Sequence, residues 1–160
     1  MVVCICKLCI PLRWPLRDLL KQPIPWYTMA IAACLIVAAV HTLWLLEGGG
    51  IPYFHPIFLL FAVCAGVTEE LLFRGFLLNS HLAVMPPVAA IALNSLLFLL
   101  IHYTDMMFGL SPLAMLSKRG AVILIMGAVF SWITIKTRCL KVPILMHILW
   151  NTLVYFYGIY

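Results

Sequence analysis

The sequence has very few charged residues for its length. Of its 160 residues, 9% are charged and 66% are hydrophobic, and only 5 are Asp or Glu. A soluble domain has roughly 25% charged residues, so a water-soluble fold of this size is excluded. At ~20 residues for each transmembrane helix, the chain has room for about five spans and little else. We therefore predict an all-α, polytopic transmembrane helical bundle, since no barrel pattern is present either.

The chain also lacks two features that would change this interpretation. Cys4, Cys6 and Cys9 near the N-terminus have no matching ligand pair elsewhere, so the indication of a zinc site there is weak. Metal binding or palmitoylation is the alternative to plain reduced thiols, which we expect. No small-residue cleavage site follows the basic N-terminus, so the apolar run at 26–46 is expected to be a retained span rather than a signal peptide.

Basic residues give the chain a formal net charge of +5, and they lie beside the apolar runs. This distribution is typical of membrane-protein loops and does not favour nucleic acid as a partner. With a cytoplasmic N-terminus, two basic clusters lie inside and only Lys118 and Arg119 lie outside, which predicts that orientation. The two clusters are Lys7, Arg13, Arg17 and Lys21, and Lys136, Arg138 and Lys141.

Prolines and glycines divide the apolar sequence into five predicted spans. Residues 1–25 are predicted to be a basic interfacial segment, and residues 26–160 a single transmembrane domain. The spans are predicted at about 26–46, 57–83, 88–103 (or to 108), 120–135 and 142 to the C-terminus, with a loop at 109–119. His102 then lies late in one helix and His147 early in a helix of the same direction. The two histidines are therefore expected at different depths in the membrane unless the helices are tilted or the fourth span is incomplete.

Three ionisable residues lie within the second predicted span. Glu70 and Arg74 are four residues apart and can pair on one face of a helix. Glu69 lies about 100° around the helix and has no local cation. A charge at mid-membrane costs ~2.5–3.5 kcal/mol, so an unpaired carboxylate there indicates a function and a remote partner. We predict a supporting role for the pair and a chemical role for Glu69.

Two further spans contain polar residues at helical spacing. His102 lies four residues after Phe98, and His147 and Asn151 lie one turn apart on one face. A lone histidine on an apolar helix face is usually a core residue. Here, however, polar or ionisable residues lie on three spans of a very apolar chain, and together they indicate a function. These groups suit peptide hydrolysis, with Glu69 as base and His102 polarising the same water. His147 and Asn151 can face the developing oxyanion.

Together these motifs resemble the signature of the CAAX protease and bacteriocin-processing (CPBP) family, also called the ABI family, which includes the type II CAAX prenyl endopeptidases. The motifs are Glu69-Glu70-x-x-x-Arg74, Phe98-x-x-x-His102 and His147-x-x-x-Asn151, and the resemblance covers about 57–155. It implies a glutamate-dependent intramembrane peptidase in which Glu69 and His102 activate water. His147 and Asn151 would form the oxyanion site. Glu70 and Arg74 would support the site or the substrate.

The chain is short, with one predicted span before the motif core, unlike the eukaryotic prenyl proteases. It is similar in this respect to small bacterial members associated with bacteriocin processing or self-immunity, which implies a prokaryotic plasma membrane. Membrane lipid and a protein or peptide substrate, prenylated or not, are the expected partners. The favoured mechanism needs no cofactor; in the alternative, zinc is bound by Glu69, His102 and His147. The main alternative function is a non-enzymatic immunity or scaffold protein, ahead of a proton-relaying transporter.

Overall fold

The computed structural model describes residues 2–5, 8–53, 55–107 and 118–159, with side chains described at 10–53, 55–102 and 120–159. Within these residues the chain is a bundle of helices preceded by a small hairpin. The helices are α1 (Leu16–Lys21), α2 (Trp26–Leu46), α3 (Pro56–Glu70), α4 (Asn79–Val84), α5 (Pro87–Met107), α6 (Lys118–Thr137) and α7 (Lys141–Tyr157). Most of the predicted loop at 109–119 lies outside the described residues, and α6 already begins at Lys118.

Proline and glycine set the limits of the first long helices. α2 follows Pro25 directly, and it ends where Gly48 and Gly49 take φ values of 97° and 62°. These left-handed conformations are open to glycine without steric cost. Pro56 opens α3, where its missing N–H removes no helical hydrogen bond. The predicted spans 26–46 and 57–83 agree with α2 and with the continuous helix Pro56–Val84.

The membrane-helical bundle is confirmed, but fewer helices than predicted are long enough to span a membrane. By length and composition, three described helices could cross, namely Trp26–Leu46, Pro56–Val84 and Gly120–Thr137, and Pro87–His102 is a shorter apolar helix. α7 has 17 residues. At 1.5 Å each it is ~26 Å long, less than the ~30 Å of a hydrocarbon core. The described chain thus has three to four candidate spans in place of about five.

The N-terminal segment is attached to the bundle by specific hydrogen bonds. No strand is predicted from the sequence, yet β1 (Val2–Ile5) and β2 (Leu8–Pro11) form an antiparallel hairpin. After the hairpin, the Asn79 side chain accepts a hydrogen bond from Trp14 N and donates one to the Trp14 carbonyl, both at 2.8 Å. Leu140 N donates to the Leu19 carbonyl at 2.9 Å. The segment is therefore held against the first residue of α4 and the residue before α7.

The helix that carries Glu69 and Glu70 changes to π geometry directly after them, over Leu71–Leu78. A π-helix forms i→i+5 hydrogen bonds and is most often found at functional sites. Gly75 in this segment allows close packing, because a Cβ there would lie 2.9 Å from Leu16 Cδ1 and 3.2 Å from Leu140 Cδ2. The hydrophobic spacing of the sequence does not predict this change of helix type.

Close helix crossings bring together the helices that carry the buried polar side chains. Where α3 crosses α7, a Cβ at Gly66 would lie 2.7 Å from Ile148 Cγ1. Where α6 crosses α5, a Cβ at Gly127 would lie 3.1 Å from Ser95 Cα. A hydrophobic core from α2, α6 and α7 fills the adjacent space, with the buried residues Ile36, Val40, Phe130, Ile133, Val142 and Met146.

Candidate active site

Two predicted site residues from different helices converge on a carboxylate oxygen of a third. Glu69 Oε2, at the end of α3, lies 3.6 Å from His102 Nε2 on α5 and 3.8 Å from His147 Nε2 on α7. Both distances exceed the hydrogen-bond range. At these separations one water can contact Glu69 Oε2 together with an imidazole nitrogen. In the described structure Glu69 Oε2 is a buried atom without a hydrogen-bond partner.

The two imidazoles lie at similar depth, which removes the difficulty noted for five full-length spans. His147 is the seventh residue of α7, and His102 is the sixteenth residue of α5. Their Nε2 atoms lie 3.6 Å and 3.8 Å from the same Glu69 oxygen, and the Phe98 and His147 rings have centroids 6.0 Å apart. The two rings therefore reach one level of the bundle although they stand at different positions in their helices.

Hydrogen bonds at Nδ1 fix the orientation of both rings. His102 Nδ1 lies 2.8 Å from the Phe98 carbonyl, and His147 Nδ1 lies 2.8 Å from Glu70 Oε1. A carbonyl or carboxylate can only accept, so Nδ1 is the donor in each case. Each ring therefore presents Nε2 toward Glu69. His102 and its backbone partner lie one turn apart on α5, whereas the partner of His147 comes from another helix.

Glu70 and Arg74 form the buried pair that their spacing predicts. Arg74 Nη1 donates to Glu70 Oε1 at 2.8 Å, and neither side chain has exposed surface. The Arg74 guanidinium also lies 4.5 Å from the centroid of the Phe98 ring, within range of a cation–π interaction. Its Nη2 donates to the Gly127 carbonyl at 3.2 Å. The pair is therefore part of the packing between the π segment, α5 and α6.

One link in this region is not visible in the sequence. Glu70 Oε1 serves Arg74 and also His147, which is 77 positions away. Glu70 thus connects the buried arginine to a ring of the candidate site. Helical spacing predicts only the local partner of Glu70, because it says nothing about contacts between distant helices.

A chain of buried polar groups extends behind Arg74, and the sequence reasoning did not assign it. Asn94 Nδ2 donates to Ser131 Oγ at 2.9 Å, and Ser131 Oγ donates to the Gly127 carbonyl at 2.7 Å. That carbonyl is the one that accepts from Arg74. Asn94 and Ser131 are buried on otherwise apolar helices. The sequence does not predict these hydrogen bonds, because short polar residues are common in membrane helices whether or not they lie near a site.

Asn151 and both histidines line a cavity of about 210 Å³. Its other walls are mostly apolar and come from α2, α5, α6 and α7, including Leu43, Phe98, Met126 and Trp150. Three of the four predicted catalytic residues therefore line this cavity. Glu69 is not among the described residues that line it. Glu69 reaches the site through its contacts with the two imidazoles. An apolar cavity with a few polar groups at one end is typical of a ligand site.

The site also contains three side chains of the types that bind metal ions. Glu69, His102 and His147 are ligand types that zinc accepts. Among the described residues, however, no group of three His, Cys, Asp or Glu side chains is arranged to hold a metal ion. The zinc alternative, with Glu69, His102 and His147 as ligands, therefore stays a prediction.

Comparison with known families gives a match that covers the whole candidate site. A family model described as type II CAAX prenyl endopeptidase Rce1-like matches residues 51–153. The matched segment is more than half of the chain, and it contains all three motifs of the candidate site. Comparisons with curated proteins and with solved structures give no significant match.

Proposed function

The chain belongs to the type II CAAX prenyl endopeptidase Rce1-like family, and we propose that it hydrolyses a peptide bond of a membrane-associated protein or peptide. The protein is an integral membrane protein, with apolar helices long enough to span a membrane. Its substrate would enter the apolar cavity that His102, His147 and Asn151 line. The observation that carries the proposal is the convergence of two imidazoles on the buried, unpartnered Oε2 of Glu69.

In the proposed mechanism, Glu69 and His102 activate the attacking water. His102 Nδ1 donates a hydrogen bond to the Phe98 carbonyl, so Nε2 of the neutral ring is the acceptor. A water beside Glu69 and His102 donates one hydrogen bond to each, which directs its lone pair at a substrate carbonyl. Glu69 removes the proton as attack proceeds and returns it to the leaving amine, which is general base and acid catalysis.

His147 and Asn151 would stabilise the oxyanion that forms in this attack. His147 can donate to an oxyanion only if Nε2 carries a proton while Nδ1 donates to Glu70. In that form both ring nitrogens donate, and Glu69 Oε2 lies 3.8 Å from Nε2. The Asn151 amide, one turn further along α7, supplies the second donor. Arg74 and Phe98 act through Glu70 and the packing of α5 rather than on the substrate.

The proposal is tested by comparing cells that produce the native protein with cells that produce Glu69→Gln. The amide keeps the shape of the side chain but cannot accept the proton. Asp18→Asn is the matched control, because it makes the same carboxylate-to-amide change at a residue remote from the site. We expect one or more membrane-associated proteins to be cleaved in the native and Asp18→Asn cells but uncut with Glu69→Gln. Identical peptide termini in all three would favour the non-enzymatic immunity or scaffold function.

Metal dependence is tested separately, on the purified protein and a substrate found in this way. We propose hydrolysis without a metal, and we expect chelators to leave the cleavage rate unchanged. Loss of cleavage in chelator with recovery on addition of zinc would instead assign Glu69, His102 and His147 to a metal site.

We further propose that the N-terminus is cytoplasmic in a prokaryotic plasma membrane, from the distribution of basic residues. Leu19 and Leu140 are hydrogen-bonded to each other, so the segments around them lie on the same side. Reporter fusions after Lys21 and after Arg138 should both give a cytoplasmic signal. An external signal at both sites would reverse the orientation.

A further inference from the structure

A second cavity lies far from the candidate active site, at the other end of the bundle. It has a volume of about 760 Å³ and lies between residues 22–28, where the chain enters α2, and the last turns of α6. Among the described helices, α2 packs on α7, and α6 packs on α5 and α7. Residues at the start of α2 and at the end of α6 line this groove. Its volume is within the ~300–1,000 Å³ that is typical of small-molecule sites.

Part of the groove lining is polar. Gln22, Thr28, Lys136 and Thr137 line this part. Thr137 Oγ1 is already bonded to the Ile133 carbonyl at 2.8 Å. Lys136 is exposed, and no acidic side chain among those described lies within ion-pair distance of it. An uncompensated ammonium beside a hydroxyl and an amide is suited to a phosphate group.

Tertiary contacts concentrate further positive charge around the groove. The N-terminal segment lies against the connection between α6 and α7, since Cys139 Sγ contacts the Gln22 carbonyl at 3.6 Å. The Arg138 guanidinium lies 5.5 Å from the Trp14 ring on that segment. In the described residues 10–28 and 136–141, one acidic residue, Asp18, accompanies six basic ones, which are Arg13, Arg17, Lys21, Lys136, Arg138 and Lys141.

The apolar residues of the groove lining form a wall that is partly open. Tyr27 is 59% exposed and Trp132 is 52% exposed, and both line the groove. Tyr and Trp are enriched at the level of lipid headgroups, where one end of the ring is apolar and the other is wet. A free phosphate would leave this wall uncovered, whereas acyl chains would cover it.

We propose that this groove binds an anionic phospholipid, with its phosphate at Lys136 and Thr28 and its acyl chains along Tyr27 and Trp132. Basic pockets at the ends of transmembrane helices recognise such headgroups. The net positive surroundings favour a headgroup with net negative charge over a zwitterionic one. The bound lipid joins the start of α2 to the end of α6, and it therefore stabilises the fold by mass action. This inference does not depend on the peptidase reaction.

The test uses the purified full-length chain in a neutral detergent. Phosphatidylglycerol, phosphatidylcholine with the same acyl chains, and inorganic phosphate are titrated separately, with bound lipid counted by native mass spectrometry and unfolding followed by heating. We expect phosphatidylglycerol to bind roughly tenfold or more tightly than phosphatidylcholine and to raise the melting temperature. Equal binding of the two lipids, or equal stabilisation by inorganic phosphate, would overturn the proposal.

Three variants locate the site. Lys136→Glu should lower phosphatidylglycerol affinity by roughly tenfold, because it replaces an attraction with a repulsion. Thr28→Trp should also remove binding, by filling the groove without a change of charge. Arg17→Glu changes the net charge as much as Lys136→Glu but does not line the groove, so most of the affinity should persist. An equal loss in Arg17→Glu and Lys136→Glu, or full binding in Thr28→Trp, would show diffuse attraction in place of a groove site.

Discussion

Glu69 and Glu70 are adjacent in the sequence, yet they lie in regions of opposite character. The Glu70 side chain has no exposed surface, and its Oε1 lies 2.8 Å from both Arg74 Nη1 and His147 Nδ1. The Glu69 side chain is 27% exposed, and its Oε2 lies 3.6 Å and 3.8 Å from two imidazole nitrogens without a hydrogen bond. Glu70 is held through Oε1 by two protein partners, whereas Glu69 Oε2 lies near two imidazoles without a hydrogen bond to either.

This difference indicates a division between a supporting region and a reacting region. A charge that is buried with protein partners mainly affects folding, because removing one partner leaves the other uncompensated. A charge that faces a cavity or a water mainly affects the reaction. The supporting region is Glu70, Arg74, Asn94, Gly127 and Ser131, and the reacting region is Glu69, His102, His147 and Asn151. Variants in the two regions should therefore separate stability from turnover.

The largest expected effect is on turnover in Glu69→Gln. Loss of the general base should lower the cleavage rate by roughly 10²–10⁴. The melting temperature in detergent should remain near that of the native protein, because the buried Oε2 of Glu69 makes no hydrogen bond with the described residues. Glu70→Gln is the neighbouring control and should reduce stability, since it weakens contacts with Arg74 and His147. The reverse pattern, with Glu69→Gln unstable and Glu70→Gln stable, would break the comparison.

The next largest effect is expected in the supporting region, for Arg74→Ala. Truncation leaves the Glu70 carboxylate buried without its cation, which typically costs ~3–5 kcal/mol of folding free energy. The amount of folded protein and its detergent melting temperature should both fall. Arg17→Ala is the control, because the Arg17–Asp18 pair is largely exposed and such pairs contribute less than ~1 kcal/mol. A normal melting temperature for Arg74→Ala would mean that the pair is not structural.

Asn151→Ala tests the reacting region from α7. Loss of one oxyanion donor should lower kcat by roughly 10²–10³ with little change in folding. Asn79→Ala is a useful contrast, because Asn79 holds the Trp14 backbone with two hydrogen bonds and is remote from the cavity. That variant should lose stability while the folded fraction retains its kcat. An Asn151→Ala enzyme with native kcat would remove this residue from the oxyanion site.

The smallest effect is expected for Ser131→Ala. The change leaves the buried Asn94 amide without its acceptor, at a cost of ~1–3 kcal/mol. Thermal unfolding in detergent measures it. Thr42→Ala is the matched control, because the Thr42 hydroxyl is exposed and bonds only within its own helix, so its change should lie within ~0.5 kcal/mol. Equal melting temperatures for the two variants would place Ser131 outside the supporting region.

The bounds of α2 and of the long helix Pro56–Val84 could be predicted well from the sequence. Pro25, Pro56 and the glycines after Glu47 act on the backbone where they stand, so their effect is readable without a structure. α7 was harder to interpret, because a run of apolar residues does not reveal whether a helix spans the membrane or begins within the bundle. Only the tertiary structure shows that His102 and His147 reach the same carboxylate oxygen.

The sequence by itself determined the choice of helices, the membrane as solvent, the Glu70–Arg74 pair and the set of polar residues that belong to the family motifs. Each of these depends on composition or on spacing within one or two turns. The tertiary structure alone decided that Glu70 also holds His147, that Asn94 and Ser131 lie behind Arg74, and that Lys136 faces a groove beside Thr28. These contacts join residues tens of positions apart, and they depend on how helices cross, which local spacing does not encode.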